Sequence, residues 1–389
     1  MPVVMPTYAR ANLAFERGEG AWLWSTDGRA YLDFGSGVAV TALGHCHPRL
    51  VNALQMQANK VWHTSNLFRV PGQEEVAGKL VASTFADTVF FCNSGAEAME
   101  CAIKTARKYH YDGGDHDRYR IICAIGGFHG RTLATIAAGG QEKHLKGFDP
   151  VVEGFDHVPY GNMNAMRDAI GPNTAAILVE PVQGEGGVIP GDPDYLRRLR
   201  ETADEFGILL IFDEVQTGMG RTGSLFAHQR LGVTPDIMGS AKGLGGGFPV
   251  GACLATEKAA RGMTAGTHGS TFGGNPLAMA VASTVLDVMS EPGFFDRVEA
   301  VSRTLRLGLD RVCASYPNVI QEVRGVGLML GLKCVTPNTD LIEKLRDNGL
   351  LTVGAGDNVV RLLPPLIIGD SEVEQALSIL SKTLAEVAA

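Results

Sequence analysis

Hydrophobic residues in the middle of the chain form short unbroken runs instead of alternating with polar ones. The clearest runs cover residues 88–92, 121–125, 175–179, 208–212 and 252–255. Strands of a parallel sheet that is covered by helices on both faces show this pattern, because both of their faces are buried. We therefore predict buried parallel strands at these five places.

One intervening segment has the pattern of an amphipathic helix. Asp192 is a suitable N-cap, Pro193 suits the first helical position, and Gly207 suits the end. The apolar residues between them would share one face, namely Leu196, Leu199, Ala203 and Phe206. Such alternation of strands and helices predicts right-handed crossovers and a large doubly wound, mostly parallel α/β sheet domain.

The pattern changes near residue 286, where Glu291-Pro292-Gly293 interrupts the chain and a long amphipathic stretch follows. Beyond it, glycine-rich turns separate short strand-like runs. We predict an N-terminal segment at 1–60, a large domain at 61–285 that carries the functional site, and a smaller α+β C-terminal domain at 286–389.

Composition narrows the class of protein. The formal charge of −8 disfavours a nucleic-acid surface, which draws on clustered lysine and arginine. Seven scattered cysteines without a CxxC pair fit reduced thiols better than a disulfide scaffold. The N-terminus does not resemble a signal peptide, and the most apolar run is too short to cross a membrane. We expect a cytoplasmic protein.

Residues 93–97 combine a strand end with a helix start. Ser94 and Glu97 have capping-box spacing, and the apolar residues that follow keep helical spacing. A helix N-terminus at the end of a buried strand offers free N–H groups to an anion. By itself this pattern also fits an ordinary helix cap without a ligand.

Two further patterns place reactive side chains beside predicted strands. Asp213 and Glu214 end the run at 208–212, and ligands of open α/β sheets bind at such carboxyl ends. Lys242 lies among small residues, in the sequence GSAKG at 239–243, with room beside it for a bulky planar group. A solvated acid and a surface lysine are the simpler interpretations of each pattern alone.

Other motif interpretations are weaker. Gly218-x-Gly220-x-x-Gly223 matches a dinucleotide fingerprint, with Asp236 near the distance expected for a ribose-binding acid. The adjacent His45, Cys46 and His47 invite a zinc interpretation, but neighbouring residues rarely converge on one tetrahedral ion. We therefore predict no metal.

Read in order, six motifs resemble the class III, fold type I aminotransferases. They are NSGAEA at 93–98, FHGRT at 128–132, EPVQGEGG at 180–187, FDEVQTGMGRTG at 212–223, AKGLGGGFP at 241–249 and HGSTFGGNP at 268–276. GSGVAVTALGHCHP at 35–48 and HTSNLF at 63–68 resemble the acetylornithine branch of that family. The resemblance covers nearly the whole chain and implies a homodimer with shared active sites and pyridoxal 5′-phosphate as cofactor.

The resemblance also implies roles for individual residues. Lys242 and Asp213 would be catalytic, Lys242 as the attachment point and proton shuttle and Asp213 as the partner of the ring nitrogen. The cofactor would further contact Ser94, Gly95, Ala96, Phe128, Glu214, Val215, Gln216 and, from the other subunit, Thr271. The substrate would contact Arg131, Glu185, Ser270 and Arg361, with Glu185 and Arg361 as a switch pair. Ala96 and Met99 stand where relatives more often have threonine and asparagine.

The function implied by this resemblance is transfer of the δ-amino group of N2-acetyl-L-ornithine to 2-oxoglutarate. The products would be N-acetyl-L-glutamate 5-semialdehyde and L-glutamate, as in arginine biosynthesis. Ornithine, succinyldiaminopimelate and 4-aminobutyrate are alternative donors within the family. A nicotinamide-dependent oxidoreductase and an inactive cofactor-binding protein are the alternatives from other classes.

Overall fold

The computed structural model describes residues 3–388. Within that range there are seventeen strands, β1 to β17, at Phe15–Glu19, Trp22–Ser25, Ala30–Asp33, Thr88–Cys92, Arg120–Ala124, Phe155–Val158, Thr174–Val179, Val182–Gln183, Ile189–Pro190, Leu209–Asp213, Ile237–Ser240, Gly251–Ala255, Ile320–Val326, Met329–Cys334, Leu350–Leu351, Val353–Ala355 and Val359–Leu362.

The same range contains fourteen helical segments, α1 to α14, at Ser36–Ala39, Pro48–Ala58, Pro71–Ser83, Gly95–Asp112, Leu133–Gly139, Glu142–Leu145, Met163–Asp168, Pro193–Phe206, Ala227–Leu231, Glu257–Ala260, Pro276–Met289, Phe294–Ala314, Asn338–Asp347 and Asp370–Ala388. A short 3-10 helix covers Lys242–Gly245. None of these helices is both long and apolar enough to pass through a lipid bilayer.

The largest sheet has seven strands in the order β4-β12-β11-β10-β7-β5-β6. Neighbouring pairs from β11 to β6 are parallel. Helix α4 packs on one face of this sheet, and α7 and α8 pack on the other. The doubly wound, mostly parallel α/β sheet that the pattern predicts is therefore confirmed.

All five predicted strands lie within one residue of their predicted bounds, but one of them has the wrong direction. Strand β12 runs antiparallel to both of its neighbours, β11 and β4. The ten residues between β11 and β12 contain only the 3-10 helix. A parallel connection needs a longer crossover, whereas antiparallel strands accept a short one.

The sequence analysis did not predict strands β6 and β11 of this sheet. Strand β6 is an edge strand with the sequence FDHV, and β11 has the sequence IMGS. Polar and glycine residues interrupt the apolar run in each. Backbone pairing with a neighbouring strand holds them in the sheet, and the pairing partner is a tertiary feature.

The predicted helix is confirmed as α8. The Asp192 side chain accepts hydrogen bonds from Asp194 N at 2.8 Å and Tyr195 N at 3.1 Å, and Gly207 ends the helix in the left-handed conformation. The prediction was wrong for Phe206, which is 36% exposed. Its ring lies beneath the Arg167 guanidinium, 5.2 Å from ring centroid to Cζ.

The structure has two four-stranded sheets, and one of them joins the beginning of the chain to its C-terminal part. Strands β1, β2 and β3 form a sheet with β15, which pairs in parallel with β3. Strands β13, β14, β17 and β16 form the other sheet. The division of the chain at residues 60 and 285 stays a prediction.

Candidate active site

A cavity of about 430 Å³ lies where strands β4, β10 and β11 reach their carboxyl ends. The sequence-predicted residues that line it are Ser94, Gly95, Ala96, Phe128, Arg131, Asp213, Val215, Gln216 and Lys242. Residues that are more than 140 positions apart in the sequence therefore meet in one place. Pockets of this size accept small organic molecules.

The N-terminus of α4 forms one wall of the cavity. Ser94 caps the helix by accepting a hydrogen bond from Glu97 N at 3.3 Å, as predicted. The Glu97 carboxylate accepts from Asn93 N at 2.7 Å, one residue before the position that a capping box predicts. Gly95 and Ala96 are the first two helical residues, so their N–H groups have no acceptor within the helix.

Glycine is required at this wall because the backbone approaches its neighbours closely. A Cβ at Gly95 would lie 2.6 Å from the Val215 side chain, and a Cβ at Gly251 would lie 2.4 Å from Ser94 O. We refer to this wall, with the free N–H groups of Gly95 and Ala96, as the cradle. An anionic group at a helix N-terminus is stabilised by these donors and by the helix dipole.

Asp213 is buried and held on both of its oxygens. Its Oδ1 accepts a hydrogen bond from Val215 N at 3.0 Å, and its Oδ2 lies 2.8 Å from His129 Nδ1. Burial alone would lower the pKa of His129, but the hydrogen bond to Asp213 and the charge of Asp213 outweigh it and raise that pKa. The carboxylate is thus oriented toward the cavity by a buried imidazole.

Glu180 is a second buried acid beside this pair, and it also lines the cavity. Its carboxylate accepts hydrogen bonds from Phe128 N at 2.9 Å and Gly184 N at 3.1 Å. Burial raises its pKa, and the nearby Asp213 charge raises it further. Sequence reasoning missed both His129 and Glu180. Glu180 follows strand β7 directly, the same signal that singled out Asp213 after β10.

Lys242 opens the 3-10 helix after β11 with a φ of 46°, a left-handed conformation that is uncommon for a residue with a side chain. Burial lowers the pKa of its amine to about 8. A neutral amine is a nucleophile and a proton acceptor, so a larger fraction of Lys242 is reactive near neutral pH than of an ordinary lysine.

Phe128 and Arg131 lie together at the cavity wall. The Arg131 Cζ is 5.5 Å from the centroid of the Phe128 ring. Arg131 is exposed, and it forms no ion pair with any of residues 3–388. An unpaired guanidinium beside a cavity is suited to bind a carboxylate in a bidentate geometry.

Glu185 and Arg361 form an ion pair with Oε1 and Nη1 2.7 Å apart. Arg361 also donates to Gln216 Oε1 at 3.1 Å and to Gly354 O at 2.8 Å. The Arg361 side chain is 2% exposed and that of Glu185 is 29% exposed. Through Gln216, this pair adjoins the cavity that contains Lys242, and the charges of both partners act on Lys242.

Glu214 and Ser270, which were predicted to act within one subunit, do not line this cavity. Glu214 was predicted beside the cofactor, but its carboxylate does not line the cavity and instead accepts from His228 N at 2.8 Å. Ser270 lies behind the cradle, where its Oγ accepts from Asn93 Nδ2 at 3.1 Å. Thr271 is exposed and does not line this chain's cavity. Side chains at consecutive positions of an extended strand end point in opposite directions, which separates Glu214 from Asp213.

The short segment α1 is a left-handed turn that leads into the cavity, and the sequence analysis above does not predict it. Ser36, Gly37, Val38 and Ala39 all have φ between 49° and 66°, and Val40 after them lines the cavity. Asp33 Oδ1 accepts from the N–H groups of Gly35 and Ser36, both at 2.9 Å. The only sequence signal for such a turn is the pair of glycines at 35 and 37, since three of its residues carry a Cβ.

The alternative motifs do not form sites. The loop at 218–223 does not open a helix, because the next helix, α9, begins at Ala227. Asp236 accepts from Arg200 Nη1 at 2.6 Å and from Leu210 N at 2.8 Å, so its carboxylate is used inside the fold. Among residues 3–388 no group of three or more histidine, cysteine or acidic side chains is arranged to hold a metal ion.

The residues of the cavity fit one kind of cofactor. The α4 cradle suits a phosphate ester, and the fixed Asp213 carboxylate suits a protonated ring nitrogen. The buried Lys242 amine suits covalent attachment to an aldehyde. Pyridoxal 5′-phosphate carries all three groups.

Comparisons with known proteins agree with this chemistry. The family model for aminotransferase class III matches residues 4–384. An acetylornithine aminotransferase from Brucella melitensis is 60% identical over 371 residues, 95% of this chain and 92% of that protein. Acetylornithine aminotransferase 1 from Bradyrhizobium diazoefficiens is 58% identical over 386 residues, 99% of this chain and 95% of that protein.

Solved structures show the same fold. N-acetylornithine aminotransferase from Stenotrophomonas maltophilia superposes with a TM-score of 0.86 at 39% identity, over 98% of this chain and 97% of that one. An ornithine aminotransferase from Toxoplasma gondii, with PLP at partial occupancy in its active site, gives a TM-score of 0.95 at 35% identity, over 99% and 92% of the two chains. From its sequence, its fold and this cavity, the chain belongs to the class III aminotransferases, which use pyridoxal 5′-phosphate.

Proposed function

We propose that this protein transfers the δ-amino group of N2-acetyl-L-ornithine to 2-oxoglutarate, giving N-acetyl-L-glutamate 5-semialdehyde and L-glutamate. Relatives at 55–60% identity that span nearly the whole chain carry the name acetylornithine aminotransferase. The observation that carries the proposal is the Glu185–Arg361 ion pair beside the cavity, together with the unpaired Arg131 at its wall.

The substrates explain why such a pair is useful. Acetylornithine presents a terminal amine on methylenes and one distant carboxylate, whereas glutamate presents an amine next to a carboxylate and has a second carboxylate further away. Arg131 is placed to hold the distant carboxylate of either substrate. Glutamate needs a second cation near the reacting carbon, and acetylornithine does not. A cation left unpaired against methylenes would be costly, so Glu185 neutralises Arg361 for one substrate and releases it for the other.

Bound pyridoxal 5′-phosphate would supply an electron sink for the electrons released when the substrate carbon loses its proton. The chain's own residues would do the rest. Asp213, held by His129, would keep a proton on the ring nitrogen, and Gln216 would donate to the ring oxygen. The amine of Lys242 would be the covalent attachment point and would carry the proton to and from the substrate carbon. Phe128 would cover one face of the ring.

We also propose that the enzyme works as a homodimer in the cytoplasm, without nucleic acid or membrane partners. A second copy is supported by an exposed apolar patch next to Thr271, made of Trp62, Leu67, Phe68 and Phe272. Phe272 contacts His63, with 5.2 Å between the ring centroids. This patch would bring Thr271 of one subunit to the phosphate cradle of the other. The seven unpaired cysteines fit a reducing compartment.

A panel of amino donors tests the proposed substrate. Specificity constants would be measured for acetylornithine, succinyldiaminopimelate, ornithine and 4-aminobutyrate, each with 2-oxoglutarate. We expect acetylornithine to rank first, with ornithine at least about tenfold lower, which corresponds to a difference of 1.4 kcal/mol. A higher value for ornithine or 4-aminobutyrate would contradict the proposed donor but not the class of reaction.

A further inference from the structure

A second cavity, of about 350 Å³, lies far along α4 from the cofactor cradle. It is lined by Lys104, Arg107, Lys108, Tyr111, His116, Arg118, Tyr119, Met263 and Thr267. Four of these nine side chains are permanent cations, and no acidic residue is among them. The whole chain carries a net charge of −8, so the positive charge of this cavity wall differs from the average charge of the protein.

These cations are mostly not neutralised by neighbouring acids. Lys108 pairs with Asp112. Lys104, Arg107 and Arg118 form no ion pair with any residue from 3 to 388. The loop that follows α4 also carries Asp115 and Asp117, but neither lines the cavity.

The unpaired cations are instead held by backbone carbonyls. Arg107 donates to Tyr119 O and Glu153 O, both at 3.1 Å. Arg118 donates to Gly207 O at 3.2 Å. Lys104 donates to Thr267 O at 2.9 Å. A carbonyl acceptor orients a cation but carries no net negative charge. The three side chains are therefore held around the cavity, and their positive charges remain unpaired.

Burial also makes the positive charge of Arg107 less well compensated. Desolvation lowers the pKa of its guanidinium, and the nearby charge of Glu100 offsets this lowering only in part. A bound anion would supply a compensating negative charge and would raise the pKa of Arg107 again. Aromatic rings also line the cavity, since Tyr111 and His116 stack with their ring centroids 4.3 Å apart and their planes 13° apart.

We propose that this cavity binds a small molecule with at least two negative charges, either a phosphate compound or a polycarboxylate. Its volume lies within the range of small-molecule pockets, and its cations come from one face of α4, at Lys104, Arg107 and Lys108, and from Arg118 in the loop that follows this helix. The site is separate from the cavity that contains Lys242, with which it shares no lining residue.

Isothermal titration of the holoenzyme tests this proposal. Pyrophosphate and citrate serve as the phosphate and polycarboxylate probes, at low ionic strength because salt screens such contacts. We expect saturable binding of at least one probe, and the stronger of the two identifies the class. A Lys104→Gln/Arg118→Gln double variant should bind at least tenfold more weakly.

Two controls separate this site from other anion sites. Lys382→Gln/Arg311→Gln removes the same charge outside the cavity and should leave the affinity within twofold. Arg131→Gln should also leave it unchanged. Loss of binding in Arg131→Gln, with binding retained in the Lys104→Gln/Arg118→Gln variant, would assign the signal to the substrate site and overturn the proposal.

Hydrogen exchange of the unmutated holoenzyme provides a test without any variant. Addition of the stronger probe should protect amides between residues 101 and 120 and around Met263–Thr267. Absence of saturable binding for both probes, or protection confined to peptides of the Lys242 cavity, would show that the cationic cavity is not a binding site.

Discussion

At the residue scale, the proposed function depends on a few side chains whose environment changes their ordinary chemistry. Asp213 is a buried carboxylate whose two oxygens are held by His129 and by the Val215 N–H. Lys242 is a buried amine without an ion-pair partner among residues 3–388, which makes its neutral form accessible. Opposite environments thus produce a fixed acid and a reactive base in one cavity.

The lowered pKa of Lys242 predicts how its reactivity depends on pH. In the apoprotein, acetylation of Lys242 by acetic anhydride should rise with pH and level off above about 8, the pKa that burial gives it. An ordinary lysine, with a pKa of about 10.4, would keep gaining reactivity to higher pH. The measurement is the ratio of modified Lys242 peptide to modified Lys382 peptide in the same digest. A ratio that does not change between pH 7 and 10 would contradict the lowered pKa.

Asp213→Asn should keep the shape of the site and remove the charge that stabilises a proton on the ring nitrogen. We expect kcat to fall by about 100-fold or more, which corresponds to roughly 3 kcal/mol of lost transition-state stabilisation. The matched variant His129→Gln removes only the group that orients Asp213, so its loss should be smaller. Half-reaction kinetics with acetylornithine measure both. Near-normal turnover by Asp213→Asn would mean that another group keeps the ring protonated.

Glu185→Ala should leave Arg361 unpaired for both substrates. Glutamate should then bind more tightly, acetylornithine should react less efficiently, and ornithine should begin to react at its α-amine. The change should be at least severalfold, because the paired atoms are only 2.7 Å apart and Arg361 is buried. Half-reaction kinetics and the ratio of α- to δ-transaminated ornithine are the readouts. An unchanged ratio with unchanged glutamate affinity would show a purely structural ion pair.

At the element scale, two features bring these residues together. The carboxyl ends of β4, β7, β10 and β11 place Ser94, Glu180, Asp213 and Lys242 at one edge of the sheet. The left-handed turn Ser36–Ala39 then brings Val40 to the same cavity from the opposite side. The residues that flank this turn are bound to the C-terminal part of the chain, since Leu363 N donates to Phe34 O at 2.6 Å and Leu366 N to Ala42 O at 2.7 Å.

The turn predicts a difference between two glycine substitutions. Gly37 has a φ of 60° and is exposed, so Gly37→Ala should destabilise the protein by about 1–2 kcal/mol, the cost of a left-handed alanine. Gly78 lies inside α3, and a Cβ there meets nothing within 4 Å. Gly78→Ala should therefore stabilise the protein by about 0.5–1 kcal/mol. Thermal unfolding of the two holoenzymes should shift in opposite directions, and equal shifts would contradict the strained turn.

At the scale of the whole molecule, the exposed apolar patch and the position of Thr271 point to a second copy of the chain. Leu67 is 89% exposed and Phe68 is 70% exposed. Burying such side chains between subunits contributes roughly 1.5–3 kcal/mol each. Leu67→Asp/Phe68→Asp should therefore shift the protein from dimer to monomer in light scattering and weaken cofactor retention. Val3 is equally exposed but lies outside the patch, so Val3→Asp serves as control. If Leu67→Asp/Phe68→Asp and Val3→Asp have the same mass in light scattering, the proposed interface is wrong.

The sequence by itself determined the elements whose stability is local. Asp192, Pro193 and Gly207 predict helix α8, and the apolar runs predict the core strands. Both predictions succeed because helix capping and continuous burial depend on residues that are neighbours in the sequence. Ordered motifs along the chain also determined the family, and they singled out Lys242 and Asp213, which the structure places in one cavity.

Only the tertiary structure decided what depends on residues distant in sequence. The antiparallel direction of β12 follows from its pairing partners, and the inclusion of β6 and β11 follows from backbone ladders with other strands. The support of Asp213 by His129 joins positions 84 residues apart, and the Glu214 carboxylate faces α9 instead of the cavity. The cationic cavity likewise combines side chains from α4, the loop after it and residues near 265. A sequence pattern reports local propensity and burial, whereas hydrogen bonds, charge compensation and cavities depend on distances between elements, which packing alone sets.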